Sequence, residues 1–278
     1  MLKHVLRIEV GACRRPVWHP GGRLLCLHTP QRGVVVDIDS HEMAAVETPV
    51  LWSPDGAHVL LQGAQKNPSW AAWPLPEHSH SLSPGRWVWL NPTTVGRVHR
   101  EHLYCHSLEN NQGEEILAKA PPGQRWVKLK GLANGGWAAL RWDSDTQGLR
   151  LSTSRGKGWP VEHLRLPNMD GLMPRAWSWG PSEQSWLMLD HHTRSIFGWT
   201  FPQGLEWLQR PSRATDVCHT QAGAAWVEDE ALLYWDTTSQ ELRAWDASKP
   251  ITGLAWNPSR QWMAASSADG LDLIQLPA

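Results

Sequence analysis

A tripeptide of tryptophan, any residue and proline recurs along this chain at a nearly regular interval. The distance from Trp18 to Trp256 divides into six intervals of about 40 residues, a length typical of structural repeats. Six intervals predict seven repeating units. The tripeptide occurs at Trp18-His19-Pro20, Trp52-Ser53-Pro54, Trp179-Gly180-Pro181 and Trp256-Asn257-Pro258, and a version longer by one residue stands at Trp89-Leu90-Asn91-Pro92.

Two units lack the tripeptide, and the period places them near 125–129 and 215–218. Within the units, short apolar segments such as residues 23–28, 33–39 and 195–200 are bounded by turn-forming residues, as strands are. No segment sustains the apolar spacing of an amphipathic helix. Four short strands in each unit predict an all-β fold.

The last unit, residues 251–274, shows the pattern most fully. Its first strand ends in Trp256-Asn257-Pro258, its second is small and apolar, and Ala268-Asp269-Gly270 makes the next turn. The pairs Trp235-Asp236 and Trp245-Asp246 match a Trp-Asp ending. In these features the chain resembles WD40-repeat proteins, although the Gly-His pair of that family is absent. Its Trp-Ser-Pro-Asp-Gly turn also resembles TolB-like propellers. The resemblance implies a seven-bladed β-propeller of four-stranded antiparallel blades.

The first and last segments of the chain together supply the four strands of one blade in this arrangement. Unit seven has only three strands, whereas residues 1–10 form an alternating strand that no other unit needs. We therefore expect residues 1–10 to be the outer strand of blade seven, which closes the ring and removes an open edge. The predicted single domain, 1–278, then has blades at 15–48, 49–84, 85–123, 124–173 (with an insertion), 174–212, 213–249 and 250–278.

Charge and cysteine content narrow the function classes. Lys and Arg number 26 against 27 Asp and Glu, so a strongly basic nucleic-acid binder is excluded, while a local patch for nucleic acid stays open. The N-terminus has no secretory apolar core, and no apolar run is long enough to span a membrane. The distant cysteines, with no Cys-x-x-Cys pair, predict reduced thiols and a cytoplasmic protein.

Twenty residues are tryptophan, against two phenylalanines and two tyrosines. We expect the five that open the repeats to fill the gaps between blades, and those of the second strands to lie in the core. Trp70 and Trp73 are expected to face opposite sides of a strand, and Trp159 to lie at the tip of a basic glycine-rich loop. Exposed tryptophan suits a protein interface or a sugar face, and plain packing is the remaining interpretation of these residues. The interface candidates are Trp70, Trp73, Trp159 and Trp207.

Cations lie where the first strand of six predicted blades begins. In a propeller these connections meet at one end of the central channel, so the charges would focus a field that the net charge conceals. The sequence therefore predicts a basic rim that binds an acidic peptide, a phosphate or an acidic protein loop. Alternatively, arginine simply favours loop-to-strand positions. The rim residues are Arg15, Arg86, Arg125, Arg175, Arg213 and Lys249.

Signatures of catalysis and of cofactor binding are weak. The densest set of possible metal ligands is His99-x-x-His102-x-x-Cys105-His106, which lacks a second knuckle. There is no Gly-x-Ser-x-Gly elbow and no nucleotide loop. We therefore expect no cofactor, no metal and no catalytic residue, and a scaffold that mediates protein–protein interactions within a larger complex. A lectin-like or small-ligand-binding propeller is the alternative, and a propeller hydrolase or lactonase the third.

Overall fold

The structure is a computed structural model that describes residues 2–48, 50–62, 67–74, 79–109, 113–132, 135–155, 160–164, 171–180, 185–200 and 206–277. Within these ranges the chain forms strands and turns and no helix. The strands assemble into seven antiparallel sheets of four strands each. The predicted all-β fold of seven four-stranded blades is thereby confirmed.

The strands are numbered in chain order, and each blade takes four that are hydrogen-bonded in sequence. Blade one has β2 (Arg14–Trp18), β3 (Leu24–His28), β4 (Gly33–Asp37) and β5 (Met43–Val46). Blade two has β6 (Val50–Trp52), β7 (His58–Leu61), β8 (Ser69–Ala72) and β9 (His80–Ser81). Blade three has β10 (Trp87–Asn91), β11 (Thr94–His99), β12 (His102–Ser107) and β13 (Glu115–Lys119). Blade four has β14 (Gln124–Gly131), β15 (Trp137–Asp143), β16 (Gly148–Ser154) and β17 (Glu162–Leu164).

The remaining strands form the last three blades. Blade five has β18 (Pro174–Trp179), β19 (Ser185–Asp190), β20 (Ser195–Thr200) and β21 (Glu206–Pro211). Blade six has β22 (Asp216–His219), β23 (Gly223–Glu228), β24 (Ala231–Asp236) and β25 (Glu241–Asp246). Blade seven has β26 (Ile251–Asn257), β27 (Trp262–Ser267), β28 (Leu271–Gln275) and β1 (Lys3–Ile8).

The chain divides into two compact units. Unit one (residues 1–49 and 174–278) contains blades five, six, seven and one, whose inner strands pack side by side in that order. Unit two (residues 50–173) contains blades two, three and four. The predicted blade limits and the single-domain organisation stay predictions.

The N-terminal strand β1 completes blade seven, as the sequence predicts. It pairs antiparallel with β28, so that Lys3 faces Gln275 and Ile8 faces Leu271. Arg7 bridges two carboxylates of the blade, at 2.8 Å from Asp269 and 3.0 Å from Asp272. The edge of β28 is therefore covered by main-chain pairing and fixed by charge.

Two of the repeat tryptophans join neighbouring blades through the main chain. In unit one, Trp18 Nε1 donates to the carbonyl of Ala255 at 3.1 Å, which ties blade one to blade seven. In unit two, Trp89 Nε1 donates to the carbonyl of Leu51 at 2.8 Å, which ties blade three to blade two. Each acceptor is the residue just before the repeat tryptophan of its own blade. The tripeptide thus marks a joint between blades as well as a filler.

Blade five carries a row of three tryptophans across its first three strands. Trp179 of β18 faces Trp186 of β19, and Trp186 faces Trp199 of β20. The ring centroids of Trp186 and Trp199 are 4.8 Å apart, and those of Trp179 and Trp186 are 6.1 Å apart. Trp186 and Trp199 are fully buried. The tryptophan of a second strand therefore lies in the core, as expected.

All four cysteines are buried, and none of them is joined in a disulfide. Cys13 Sγ donates to the carbonyl of Gly270 at 3.2 Å, and burial raises the pKa of the Cys13 thiol to about 11. Because the thiolate is the reactive form, we expect iodoacetamide at pH 8 to modify Cys13 about 100-fold more slowly in the folded chain than after denaturation. Peptide mapping by mass spectrometry measures this ratio, and equal rates would contradict the buried position.

Candidate functional site

The six predicted rim cations all have exposed side chains. Arg15, Arg125 and Arg175 each occupy the second position of an inner strand, β2, β14 and β18 respectively. Arg86 immediately precedes β10, while Arg213 and Lys249 lie in the segments leading into β22 and β26. Each cation therefore stands at the beginning of a first strand, where the sequence places it. That they bind a partner stays a prediction.

In unit one, the charges of two rim cations act on the carboxylate of Asp216. The carboxylate opens β22 and accepts hydrogen bonds from the backbone N–H of Val217 at 2.9 Å and of Leu254, in blade seven, at 3.1 Å. Its withdrawal from water raises the pKa of the Asp216 carboxyl, and the charges of Arg15 and Arg175 act in the opposite direction. Arginines of blades one and five thus act on one carboxylate of blade six.

The other rim cations of unit one, Arg213 and Lys249, each interact with a carboxylate of the blade that they precede. The backbone N–H of Arg213 donates to Glu228 at 3.3 Å, and the charge of Lys249 contributes to lowering the pKa of Asp269. In unit two, Arg86 and Arg125 are exposed at the starts of neighbouring blades. The charges of Arg15 and Arg175 therefore both act on Asp216, whereas Arg213 and Lys249 act on other carboxylates.

Sequence reasoning did not single out Asp216, because an isolated aspartate before an apolar strand is a common strand boundary. A signal was present in the contrast between blades, since the inner strand of blade six opens on Asp216, whereas those of blades one, four and five have an arginine in second position. Asp216 balances part of the positive charge and ties blade six to blade seven through Leu254.

The structure describes every tryptophan except Trp159, and each of those described is buried or half-buried. The ring of Trp70 stacks on His80 at 4.3 Å, and Trp73 meets Trp52 edge-on at 5.7 Å. Trp207 is half-buried and leaves no space for a side chain at Gly198, where an added Cβ would lie 2.6 Å from it. Trp159 lies outside the described residues. The interface role of these four tryptophans stays a prediction.

In blade six, His219 takes the position that tryptophan holds in other blades. Its Nδ1 is 2.6 Å from the carbonyl of Thr220, and its Nε2 is 2.6 Å from Ser185 Oγ of blade five. Because a carbonyl only accepts, Nδ1 carries a proton, so in the neutral ring the Ser185 hydroxyl donates to Nε2. The ring packs edge-on against Trp207 at 5.4 Å and is buried. The pair is a buried joint between blades five and six.

Metal-binding geometry is absent from the described part of the chain. No group of three or more His, Cys, Asp or Glu side chains there could hold an ion. Within the set flagged by the sequence, His99 faces His102 across two strands, and His106 Nδ1 lies 3.2 Å from the carbonyl of Gly113. No helix of the described residues is long and apolar enough to cross a membrane.

Comparison with known proteins identifies the fold. No protein-family model and no curated protein matches the chain. Among solved structures, it is similar to the β-propeller domain of Cps50 (Swd1) from Myceliophteria thermophila, with a TM-score of 0.73, 12% identity and 100% of both chains covered. It is also similar to a chain of the mitotic checkpoint complex, with a TM-score of 0.69, 12% identity, and 99% and 96% covered. At this identity the likeness shows the fold alone, and that fold is the WD40-type seven-bladed β-propeller that the repeat residues predict.

Proposed function

We propose that this chain is a non-enzymatic scaffold that binds partner proteins as a subunit of a larger assembly. This proposal rests on one observation. Six of the seven inner strands begin with an exposed cation, and two of these cations act on one carboxylate. Exposed charges held on a rigid β framework suit recognition of a complementary surface. One of the similar solved structures is itself an assembly, the mitotic checkpoint complex.

The partner surface that fits the rim is an acidic protein segment. A net charge of −1 gives the chain no general attraction for a polyanion such as nucleic acid. A peptide with spaced carboxylates can place them beside Arg15 and Arg175, whose side chains are exposed. The rim would then select acidic side chains at intervals. A cytoplasmic location remains part of this proposal.

The two alternative functions draw less support from the described residues. A sugar-binding platform needs an open ring face, and one face of Trp70 is covered by His80 while Trp73 abuts Trp52. A hydrolase or lactonase with a bound metal needs convergent ligands, and the described residues hold no such cluster. Trp159 keeps the sugar-binding alternative testable by a glycan array.

The acidic-partner proposal predicts a charge-specific loss of binding. We expect a fluorescein-labelled peptide of alternating Glu and Gly to bind at low salt. The triple reversal of Arg86, Arg125 and Arg175 to Glu is expected to weaken binding at least about tenfold, because the proposal assigns these charges to the ligand. Fluorescence anisotropy measures the dissociation constant.

The matched control is a triple reversal of exposed cations away from the starts of the inner strands, with the same change in net charge. Lys3, Arg32 and Lys119 are exposed and serve this purpose. This control is expected to leave binding within about twofold of the unmodified chain. Equal weakening by both triples, or the absence of any peptide binding, would overturn the proposed rim.

A further inference from the structure

A buried arginine, Arg141 of β15, lies in blade four near the strand end that carries the rim cations. It is 5% exposed. It pairs with Trp126 of β14 and with Arg150 of β16, so the three side chains share one face of the sheet. That face packs against blade three, since Trp126 lies in one apolar cluster with Leu103. The strand β15 ends two residues after Arg141, opposite the start of β14, where the rim residue Arg125 lies.

The guanidinium of Arg141 has fewer partners than a buried cation ordinarily has. Its Nη1 donates to the side-chain oxygen of Gln124. Its Nε is buried without a partner, whereas Nη2 is not fully buried and makes no hydrogen bond within the part of the chain that the structure describes. No described Asp or Glu forms an ion pair with Arg141. Buried arginines are ordinarily paired, because removing a charge from water is costly. Nη2 is therefore a donor open to an anion.

The charges around Arg141 do not balance. Burial lowers the pKa of the Arg141 guanidinium, Asp143 acts in the opposite direction, and the like charge of Arg150 adds to the lowering. Asp143 is also shared, because it lies 3.8 Å from Arg150 Nε and accepts the side-chain amide of Gln124 at 3.2 Å. Two guanidinium groups and one carboxylate leave this cluster with one positive charge in excess.

The outer strand of blade four responds to the same charge. His163 of β17 is paired with Ser152 of β16, two residues from Arg150, and so lies on the face of Arg141. Its Nδ1 is 3.0 Å from the Ser152 hydroxyl. Burial and then the charge of Arg141 lower the pKa of His163, so this ring is mostly neutral at pH 7 and adds no charge to the cluster. Glu162 is paired with Thr153 and lies on the opposite face, where it cannot supply the missing carboxylate.

The size of the excess charge selects the class of anion. A carboxylate carries one negative charge and would balance the cluster, and its hydrogen bond to a guanidinium is strengthened by charge. A phosphate group carries more than one negative charge at pH 7 and would repel Asp143. The missing partner of Arg141 is therefore best matched by a single carboxylate.

We propose that Arg141 and Arg150 form a binding site for one carboxylate side chain of a partner protein, with Nη2 of Arg141 as the donor. This inference deepens the proposed function and rests on it, since it gives one acidic residue of the partner a specific place in blade four. The rim consists of exposed charges at six strand starts, whereas this site depends on one buried guanidinium, which salt screens less. The two can therefore fail independently.

The test is a titration of the ¹⁵N-arginine-labelled chain with N-acetyl-glutamate α-amide at constant ionic strength, followed by the Nε–H signals in a ¹H–¹⁵N correlation spectrum. The Arg141 signal is assigned from its loss in Arg141→Lys. We expect this signal to move saturably, with a dissociation constant in the millimolar range for so small a probe. N-acetyl-glutamine α-amide, which has the same shape without the charge, is expected to leave the signal in place. N-acetyl-phosphoserine α-amide is expected to bind more weakly than the glutamate probe.

Two variants separate the site from general charge effects. Arg150→Met removes the excess charge but keeps the Arg141 signal, and it is expected to weaken binding of the glutamate probe at least about tenfold. Arg32→Met makes the same change in net charge at an exposed position of blade one and is expected to leave binding within about twofold.

Four results would overturn this carboxylate site. They are an unmoved Arg141 signal, equal shifts with the glutamate and glutamine probes, tighter binding of the phosphoserine probe, and unchanged binding by Arg150→Met. Because the probe comparison uses the unmodified chain, it decides the matter even if Arg150→Met does not fold. If the glutamate probe binds while the charge reversals at the rim leave peptide binding unchanged, the rim is wrong and the site in blade four stands.

Discussion

Removal of residues 2–10 is expected to abolish cooperative folding of unit one at 25 °C. The deletion strips β1 from β28 and takes away Leu2, which is buried, together with the half-buried Leu6 and Ile8. Their apolar burial contributes about 5 kcal/mol, which is comparable to the whole stability of many domains. It also leaves the buried Asp272 without Arg7. Circular dichroism during urea titration measures the loss.

The strand deletion has a direct rescue and a matched control. A synthetic peptide of residues 2–10, added in excess, is expected to restore the unfolding transition because it re-forms the same pairing with β28. Replacing the exposed Lys3 and Glu9 with alanine in the full chain is expected to shift stability by less than about 0.5 kcal/mol. A truncated chain that unfolds at the same urea concentration as the full chain would show that β1 is dispensable.

Substitution of Trp186 by alanine is expected to lower the free energy of unfolding by about 3–5 kcal/mol. This ring is fully buried and sits between Trp179 and Trp199 in blade five, so its loss opens a cavity and breaks two aromatic contacts. Chemical denaturation followed by circular dichroism measures the change, because 19 other tryptophans complicate the fluorescence signal.

The control for Trp186 is the same substitution on an outer strand. Trp245 of β25 is half-buried and stacks on His4 at 6.1 Å. We expect Trp245→Ala to cost about 1 kcal/mol, since the site can relax toward solvent. If the two substitutions cost the same, the row of tryptophans in blade five would not be the core element that the structure describes.

The repeat period predicted the blades because it follows from packing between neighbouring sheets. A tryptophan at the end of an inner strand must meet the next blade, and Trp18 and Trp89 do so through their rings and their N–H groups. The role of residues 1–10 was also predictable, since blade seven otherwise lacked its fourth strand. Both inferences depend on local pattern and on strand counting, which a single sequence contains.

The exposure of individual side chains was harder to predict from the sequence. Trp70 is covered by His80, whose position depends on the register between β8 and β9. A cavity of about 180 Å³ lies beside Trp256 and Tyr234. It adjoins the first turn of blade six, where the tripeptide is missing and His219 faces a residue five positions on rather than seven. Such features arise from the fit between distant segments. The weakest repeat, blade six, accordingly contributes to both Asp216 and the cavity.

The joints between blades have a consequence for sequence divergence. Trp18 and Trp89 donate to main-chain carbonyls, and every residue type carries that acceptor. Residue 51 or 255 can therefore change side chain without removing the joint, so only one partner of each contact is under constraint. Blades built this way can drift apart while their stacking persists. Two propellers can then share a fold at a TM-score of 0.73 with 12% of their residues identical.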